Sequence, residues 1–293
     1  MGFVVHRFVL HNDSIRQVSD QTLSPAQVGL LSGWGVFSTL RVTEGVLFAF
    51  ERHWARLVRD AAAVHVPLPD DPEWVRRKLL ELVEANRAYH ATLRLVIVRN
   101  SGGMWSGPAG GRASDIIALT ADARQWGRGV KLAYVENARH AACPFTGTKI
   151  LSWAMNLTWL ELVQARGFDE AILLNERGEV AECTSANIFA AVGDQVWTPP
   201  LGSGCLPGVT REVLLREVHA PGIGIVEKAL LPADLETATE VFITSTTRDL
   251  LPVVRIEDRN MGGGERARAA LQAGFSDYVT RYIAEHKTFD VNR

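Results

Sequence analysis

An α+β / α/β chain of two domains is predicted by three features of this sequence. Its 293 residues are enough for two medium domains, and a hydrophobic content of 47% supports a sizeable core. Short runs rich in Val, Ile and Phe alternate with runs whose apolar residues recur at helical spacing. A polar, Gly-containing stretch, ADARQWGRG, then interrupts the periodicity. The expected division is a small N-terminal α+β domain over 1-121, a linker over 122-128 and a larger C-terminal domain over 129-293.

In the first part, VVHRFVL and GVFSTLRV read as strands, the second turning through Thr43, Glu44 and Gly45 into a further strand, VLFAF. ERHWARLVRDAAAV has Trp54, Leu57, Val58 and Ala61 on one helical face. DPEWVRRKLLELVEANR repeats that period, with Asp71 as N-cap and Pro72 at the first helical position. TLRLVIVR and DIIALTA are strands flanking the Ser101-Gly102-Gly103 turn. Beyond the linker come a strand (VKLAYVE), a loop carrying Lys149, a helix ending at Gly167, and two strands, DEAILLN and EVAECTSANIFAAV, joined at Glu176-Arg177-Gly178. LPGVTREVLLREV starts a helix from a glycine loop, and VFITSTTRDLLPVV precedes a C-terminal helix.

Composition narrows the function. A formal charge of −2 and dispersed arginines give no basic tract for nucleic acid. No stretch approaches the roughly 18 apolar residues of a membrane span, and the N-terminal apolar run is too short for a signal peptide, so a cytoplasmic enzyme is expected. Cys143, Cys183 and Cys205 lack paired metal spacing, which points to buried or neutral thiols and to no metal.

Of the five lysines, four sit in solvated settings: Lys78 on a charged helix face, Lys131 and Lys228 at the start of strand-like runs, Lys287 in the tail. Lys149 differs, with small hydroxyl residues before it and an apolar run after it, in TGTKILSWAMN. Desolvation disfavours the ammonium form, whose reference pKa is about 10.4, and frees the amine to condense with an aldehyde. A Schiff-base lysine is the sharp reading; a solvated loop lysine is the bland one.

Three downstream features suit a phosphorylated pyridine aldehyde. Gly208-Val209-Thr210 opens a helix, whose unpaired N–H groups and positive dipole end attract phosphate. Ser245-Thr246-Thr247 supplies hydroxyls and N–H groups at a strand end. Glu182 lies in an otherwise uncharged strand, where a buried carboxylate needs a cation. Against a pyridine nitrogen it would keep the ring protonated; on an edge strand it would simply face solvent.

With GVFSTLR, ERHWARL, the Lys149 loop, GFDEAILLNERGEVAECTSANIF, TPPLGSGCLPGVTR and FITSTTRDLLPV in this order, the chain resembles the class IV (fold type IV) pyridoxal-phosphate enzymes. These are the branched-chain aminotransferases, D-amino-acid aminotransferases and aminodeoxychorismate lyases. The resemblance runs from about Gly33 to Ile256. It implies the two-domain fold of D-amino-acid aminotransferase, pyridoxal 5'-phosphate at the domain interface, a homodimer, and small amino acids and 2-oxo acids as partners. It implies that Lys149 carries the cofactor and shuttles the substrate proton, and that Glu182 holds the pyridine nitrogen. Arg56, Ser185, Val209, Thr210, Ser245 and Thr246 would complete the cofactor site, while Asn187 reads as a structural strand-turn residue.

On the substrate side the resemblance implies Phe37, Thr39, Arg41, Arg94, Met104, Trp105 and Thr247. Arg41 and Arg94 suit a carboxylate, and Phe37, Met104 and Trp105, with Trp34 and Trp153, offer an apolar wall. Ser32, Thr39 and Ala154 depart from the branched-chain pattern, where an aromatic residue, a glycine and a tyrosine are usual. Thr39 and VRNSGG are similar to the lyase, yet Met104 and Trp105 replace its basic residue and tyrosine. ITSTT is similar to D-amino-acid aminotransferase. The expected activity is transfer from a hydrophobic, branched-chain-like L-amino acid to a 2-oxo acid such as 2-oxoglutarate, with the lyase, or a D-amino-acid or amine transaminase, as alternatives.

Overall fold

Alternation along GVFSTLRVT places Val36, Ser38, Leu40 and Val42 on one face of a strand and Phe37, Thr39 and Arg41 on the other. That strand organises the N-terminal half. The structure is a computed structural model describing residues 4–20, 27–103, 111–262 and 264–287.

The N-terminal elements are β1 (Val5–His11), β2 (Ser14–Gln17), α1 (Val28–Ser32), β3 (Gly35–Thr43), β4 (Val46–Leu47), α2 (Phe50–Ala63), α3 (Pro72–Asn86), β5 (His90–Arg99) and β6 (Ser114–Asp122). The strands form an antiparallel sheet in the order β2-β1-β6-β5-β3-β4. Helices α2 and α3 cover one face, where Val36, Leu40, Leu57, Leu79, Leu82, Leu93 and Leu95 form the core. At the start of α3, Asp71 accepts hydrogen bonds from the N–H groups of Glu73 and Trp74 at 2.9 and 3.0 Å. The expected strand VLFAF shrinks to β4, because Ala49 turns into the left-handed region (φ 52°) and Phe50 already begins α2.

The C-terminal elements are β7 (Val130–Arg139), α4 (Ala154–Ala165), β8 (Glu170–Asn175), β9 (Val180–Cys183), β10 (Asn187–Val192), β11 (Gln195–Thr198), α5 (Val209–Arg216), β12 (Gly224–Glu227), α6 (Pro232–Thr237), β13 (Glu240–Ser245), β14 (Asp249–Ile256), β15 (Arg259–Asn260) and α7 (Arg266–His286). Their mixed sheet runs β12-β11-β10-β13-β14-β7-β8-β9, with β15 beside β14. β7 is parallel to β8, as the helical connection α4 allows, and Val163 of α4 packs with Ala133, Phe168 and Leu173. The expected single strand EVAECTSANIFAAV is two strands: Cys183 N–H donates to Ala186 O at 2.8 Å, so the chain turns between β9 and β10 and the sheet curls.

By packing, the chain divides into two compact units: Met1–Arg124 with Thr148–Trp153 and Arg281–Arg293, and Gln125–Gly147 with Ala154–Thr280. Lys149 thus belongs to the first unit and not, as the division at 122-128 implied, to the C-terminal part. Its segment lies along β3, with an isolated bridge between Val36 and Ile150. At the end of α7, Tyr282 packs edge-on against Phe48 and donates to Glu51 Oε2 at 2.6 Å, which ties the last helical turn to the first unit. Among the described residues no helix is long and apolar enough to cross a membrane, and no cluster of His, Cys, Asp and Glu could hold a metal. Cys183 and Cys205 are buried; burial pushes both thiols up, Cys205 to about 12.

Candidate functional site

Lys149 is fixed through its backbone. Its carbonyl accepts from Phe37 N–H at 3.0 Å, and Leu151 N–H donates to Gly35 O at 2.9 Å. Its own N–H donates to Asp60 Oδ2 of α2 at 3.1 Å. This approach needs glycine at position 35: a Cβ there would lie 2.5 Å from both Ile97 O and Leu151 Cδ1.

The side chain of Lys149 enters an aromatic corner. Nζ lies 4.5 Å from the Phe37 ring centroid and 4.9 Å from that of Trp153, and the two rings are 5.1 Å apart. Arg94 reaches the same corner, with Cζ 4.1 Å from the Phe37 centroid and 5.7 Å from that of Trp153. Register explains this meeting, since Thr39 pairs with Arg94 and Arg41 with Thr92 across β3 and β5. Phe37, Thr39, Arg41 and Arg94 therefore share one face. Burial pulls the Arg41 and Arg94 guanidinium groups below their ordinary range. No carboxylate pairs with Arg94 among the described residues.

Arg56 occupies the helix side of β3. Its Nη2 donates to Ser38 Oγ at 2.9 Å and lies 3.4 Å from His53 Nδ1, which in turn is 2.8 Å from Ser38 Oγ. A guanidinium can only donate, so Nδ1 is the acceptor and the imidazole proton sits on Nε2. Nε2 is buried with no hydrogen-bond partner among the described residues. Burial, with Arg56 and Lys149 nearby, holds the His53 pKa well below its usual value, so the ring is neutral. Sequence reading missed His53 and Asp60; His53 stands three residues before Arg56, on the same face of α2.

In the second unit Glu182 is buried, at 8% exposed, so the solvent-facing alternative is excluded. The cation it needs is Arg139, whose Nε donates to Oε1 at 3.1 Å, while Leu206 N–H donates to Oε2 at 3.0 Å. Arg139 is held in turn by Asn156 Oδ1 at 3.2 Å. A carboxylate has about four lone-pair sites, so Glu182 keeps acceptor capacity for a further N–H. Val209 and Thr210 open α5, whose N-cap, Gly208, has no side chain to satisfy the first-turn N–H groups. Gly208 just before it passes so close to Asn187 that a Cβ would sit 2.1 Å from Oδ1. Asn187 Nδ2 donates to Leu206 O at 2.9 Å, the structural role expected of it.

Ser245 closes β13, with its Oγ 3.5 Å from Thr247 Oγ1; Thr246 lies between them, and Thr247 O accepts from Trp126 Nε1 at 2.7 Å. The Ser185 hydroxyl is engaged by the protein, donating to Glu170 Oε2 at 2.7 Å and accepting from Arg248 Nη2 at 2.9 Å. Met104 and Trp105 lie outside the described residues. Within the first unit the Lys149 amine suits an amine-reactive carbonyl; within the second, buried Glu182 has capacity for a ring N–H and the start of α5 suits a phosphate, and pyridoxal 5'-phosphate carries all three groups.

Comparison with known proteins agrees. The profile of the family described as Amino-transferase class IV matches residues 35–256. A putative branched-chain-amino-acid aminotransferase of Methanocaldococcus jannaschii is 32% identical over 270 residues, covering 90% of this chain and 93% of that protein. A D-alanine aminotransferase of Bacillus licheniformis is 29% identical over 260 residues, covering 87% and 90%. The crystal structure of the branched-chain aminotransferase of Thermoproteus uzoniensis with norvaline shares the fold, with a TM-score of 0.86 at 24% identity over 95% of this chain and 98% of that one. The chain belongs to the class IV aminotransferases, fold type IV enzymes that use pyridoxal 5'-phosphate.

Proposed function

We infer that this aminotransferase takes the amino group from a hydrophobic, branched-chain-like L-amino acid and passes it to a 2-oxo acid such as 2-oxoglutarate. The observation that carries this reading is the Lys149–Phe37–Arg94 corner: an amine and an Arg94 guanidinium without a carboxylate partner among the described residues meet over one aromatic ring. A substrate carboxylate would answer Arg94, and the rings of Phe37 and Trp153 suit an apolar side chain. Bound pyridoxal 5'-phosphate supplies the carbonyl that takes up nitrogen and the ring that accepts electrons from the substrate α-carbon.

Lys149 would hold the cofactor and move the proton at the substrate α-carbon. Glu182 keeps negative charge at the ring nitrogen. Arg56, Val209, Thr210, Ser245 and Thr246 bind the phosphate, while Arg41, Arg94 and Thr247 orient the carboxylate. We read the enzyme as a cytoplasmic homodimer; exposed Met155 and Leu162, seven residues apart on one side of α4, give it apolar surface for a second copy.

Two observations support other substrates. Thr39 directly opposite Arg94 favours the lyase, which needs a hydroxyl to move a proton, and the D-alanine aminotransferase relative favours D-amino acids. The test is to mix holoenzyme with L-leucine, D-alanine, a simple amine or aminodeoxychorismate and follow the cofactor's visible absorbance. L-leucine should bleach the band and 2-oxoglutarate restore it. Bleaching by D-alanine or the amine alone, or pyruvate release from aminodeoxychorismate without bleaching by any amino acid, would replace this reading. Borohydride reduction and peptide mapping should label Lys149, and Lys149→Ala should abolish turnover.

A further inference from the structure

Arg248 follows the Ser245-Thr246-Thr247 turn, and both of its terminal nitrogens are engaged. Nη1 donates to Ser185 O at 3.0 Å and to Ser245 Oγ at 3.3 Å. Nη2 donates to Ser185 Oγ at 2.9 Å and to Glu170 Oε2 at 3.3 Å. Cζ of Arg248 lies over the Trp126 ring, 4.0 Å from its centroid, and the indole N–H of Trp126 donates to Thr247 O at 2.7 Å. One side chain thus links the β9–β10 turn, the Trp126 segment and the turn after β13.

The turn is closed by Arg248 N–H donating to Ser245 O at 3.1 Å, a bond that leaves the turn's hydroxyls to be oriented by side chains. Ser245 to Asp249 are all partly exposed, and Asp249 sits in the left-handed region at φ 52°, where a non-glycine residue is strained unless its surroundings hold it. Glu170 supplies a fixed anchor. It is buried, its Oε1 accepts from Thr184 Oγ1 and from Ala171 N–H at 3.0 Å, and its Oε2 accepts from Ser185 Oγ at 2.7 Å. Among the described residues Arg248 is the cation paired with it. A planar fork that also stacks on an indole is a task for arginine; a lysine keeps the charge and loses the geometry.

We propose that Arg248 is a positioning residue that holds the Ser245–Thr247 turn in anion-binding geometry by tying it to Ser185, using buried Glu170 as its fixed counter-charge. This rests on the reading that Ser245 and Thr246 bind the cofactor phosphate, and it adds the device that shapes them.

The test compares Arg248→Lys, Arg248→Met, the double variant Glu170→Gln with Arg248→Met, and Thr246→Val. Cofactor retained by holoenzyme on dialysis, melting temperature, and kcat and KM are measured for each. Arg248→Met strands a buried carboxylate and should lower the melting temperature; the double variant removes both charges and should recover it. Both should lose cofactor roughly tenfold or more faster than wild type, the scale of one charge-assisted hydrogen bond. Arg248→Lys should melt near wild type yet lose cofactor similarly. Wild-type retention in Arg248→Lys and in the double variant, with loss in Thr246→Val, overturns the clamp and leaves the phosphate reading standing. Wild-type retention in all four overturns both.

Discussion

The N–H of Lys149 donates to Asp60 Oδ2 at 3.1 Å, a bond from the lysine's own backbone to a carboxylate 1% exposed in α2. Arg59 holds the other oxygen of that carboxylate, so the acceptor cannot swing away. The helix therefore sets the height of the lysine along β3.

Asp60→Val should misplace Lys149, because it deprives a partly buried N–H of its acceptor, at a cost of up to about 1–3 kcal/mol. We expect kcat to fall at least tenfold, in line with the sensitivity of catalysis to small misplacements, while Asp60→Asn, which retains an acceptor, should fall less. Single-turnover kinetics would measure this. Equal rates in Asp60→Val and wild type would remove Asp60 from the account.

Glu182 should act by charge and not by hydrogen bonding alone. Glu182→Gln keeps the shape and should slow each half-reaction by roughly 10²-fold, since stabilising charge at the reacting centre contributes several kcal/mol. Arg139→Met leaves the carboxylate in place without its guanidinium partner, so a smaller loss is expected. Stopped-flow absorbance resolves the two, and a Glu182→Gln half-reaction as fast as wild type would contradict the role.

How much of this could be read from residues alone depended on range. Asp71 and Pro72 announce α3 because capping is local chemistry, and Lys149 and Glu182 stand out because their neighbours are uncharged or small. VLFAF misled because a buried run is apolar whether it ends a strand or starts a helix. The break at Thr184 to Ala186 has no Gly or Pro to mark it. Pro232 with Asp234 could have revealed α6, whose Asp234 accepts from Leu231 N–H at 2.8 Å. Arg139, Asp60, Glu170 and Arg248 were out of reach, since their partners lie 43, 89 or 78 residues away, as for Arg139–Glu182, Asp60–Lys149 and Glu170–Arg248.

Acid should loosen the hairpin between β8 and β9. Hydrogen bonding from Arg177, with Asn175 and Ser203, holds the Glu179 carboxyl down at about 2. Its folded value lies below its unfolded one, so its contribution is complete above the usual carboxylate range and fades as pH falls towards about 2. Melting curves from pH 6 down to about pH 2.5 should show a shallower acid decline in Glu179→Gln than in wild type. Parallel declines would mean that this pairing has no weight in acid stability.

On the proposed reading substrate choice turns on Arg94, whose Cζ lies 4.1 Å from the Phe37 ring centroid and which pairs cross-strand with Thr39. If its guanidinium receives the substrate carboxylate, Arg94→Ala should raise KM for L-leucine by roughly 10- to 100-fold, the scale of a charge-assisted hydrogen bond. A simple amine has no carboxylate to lose, so its kinetics should change far less. Arg94→Lys keeps charge but not the planar fork, and should recover only part of the loss. Thr39→Val separates the reactions: a transaminase that draws its proton through Lys149 should tolerate it, whereas a lyase that moves a proton through the hydroxyl should not. An equal KM rise for the amine and the amino acid in Arg94→Ala would assign Arg94 to the packing of Phe37 and Trp153 and move carboxylate recognition elsewhere.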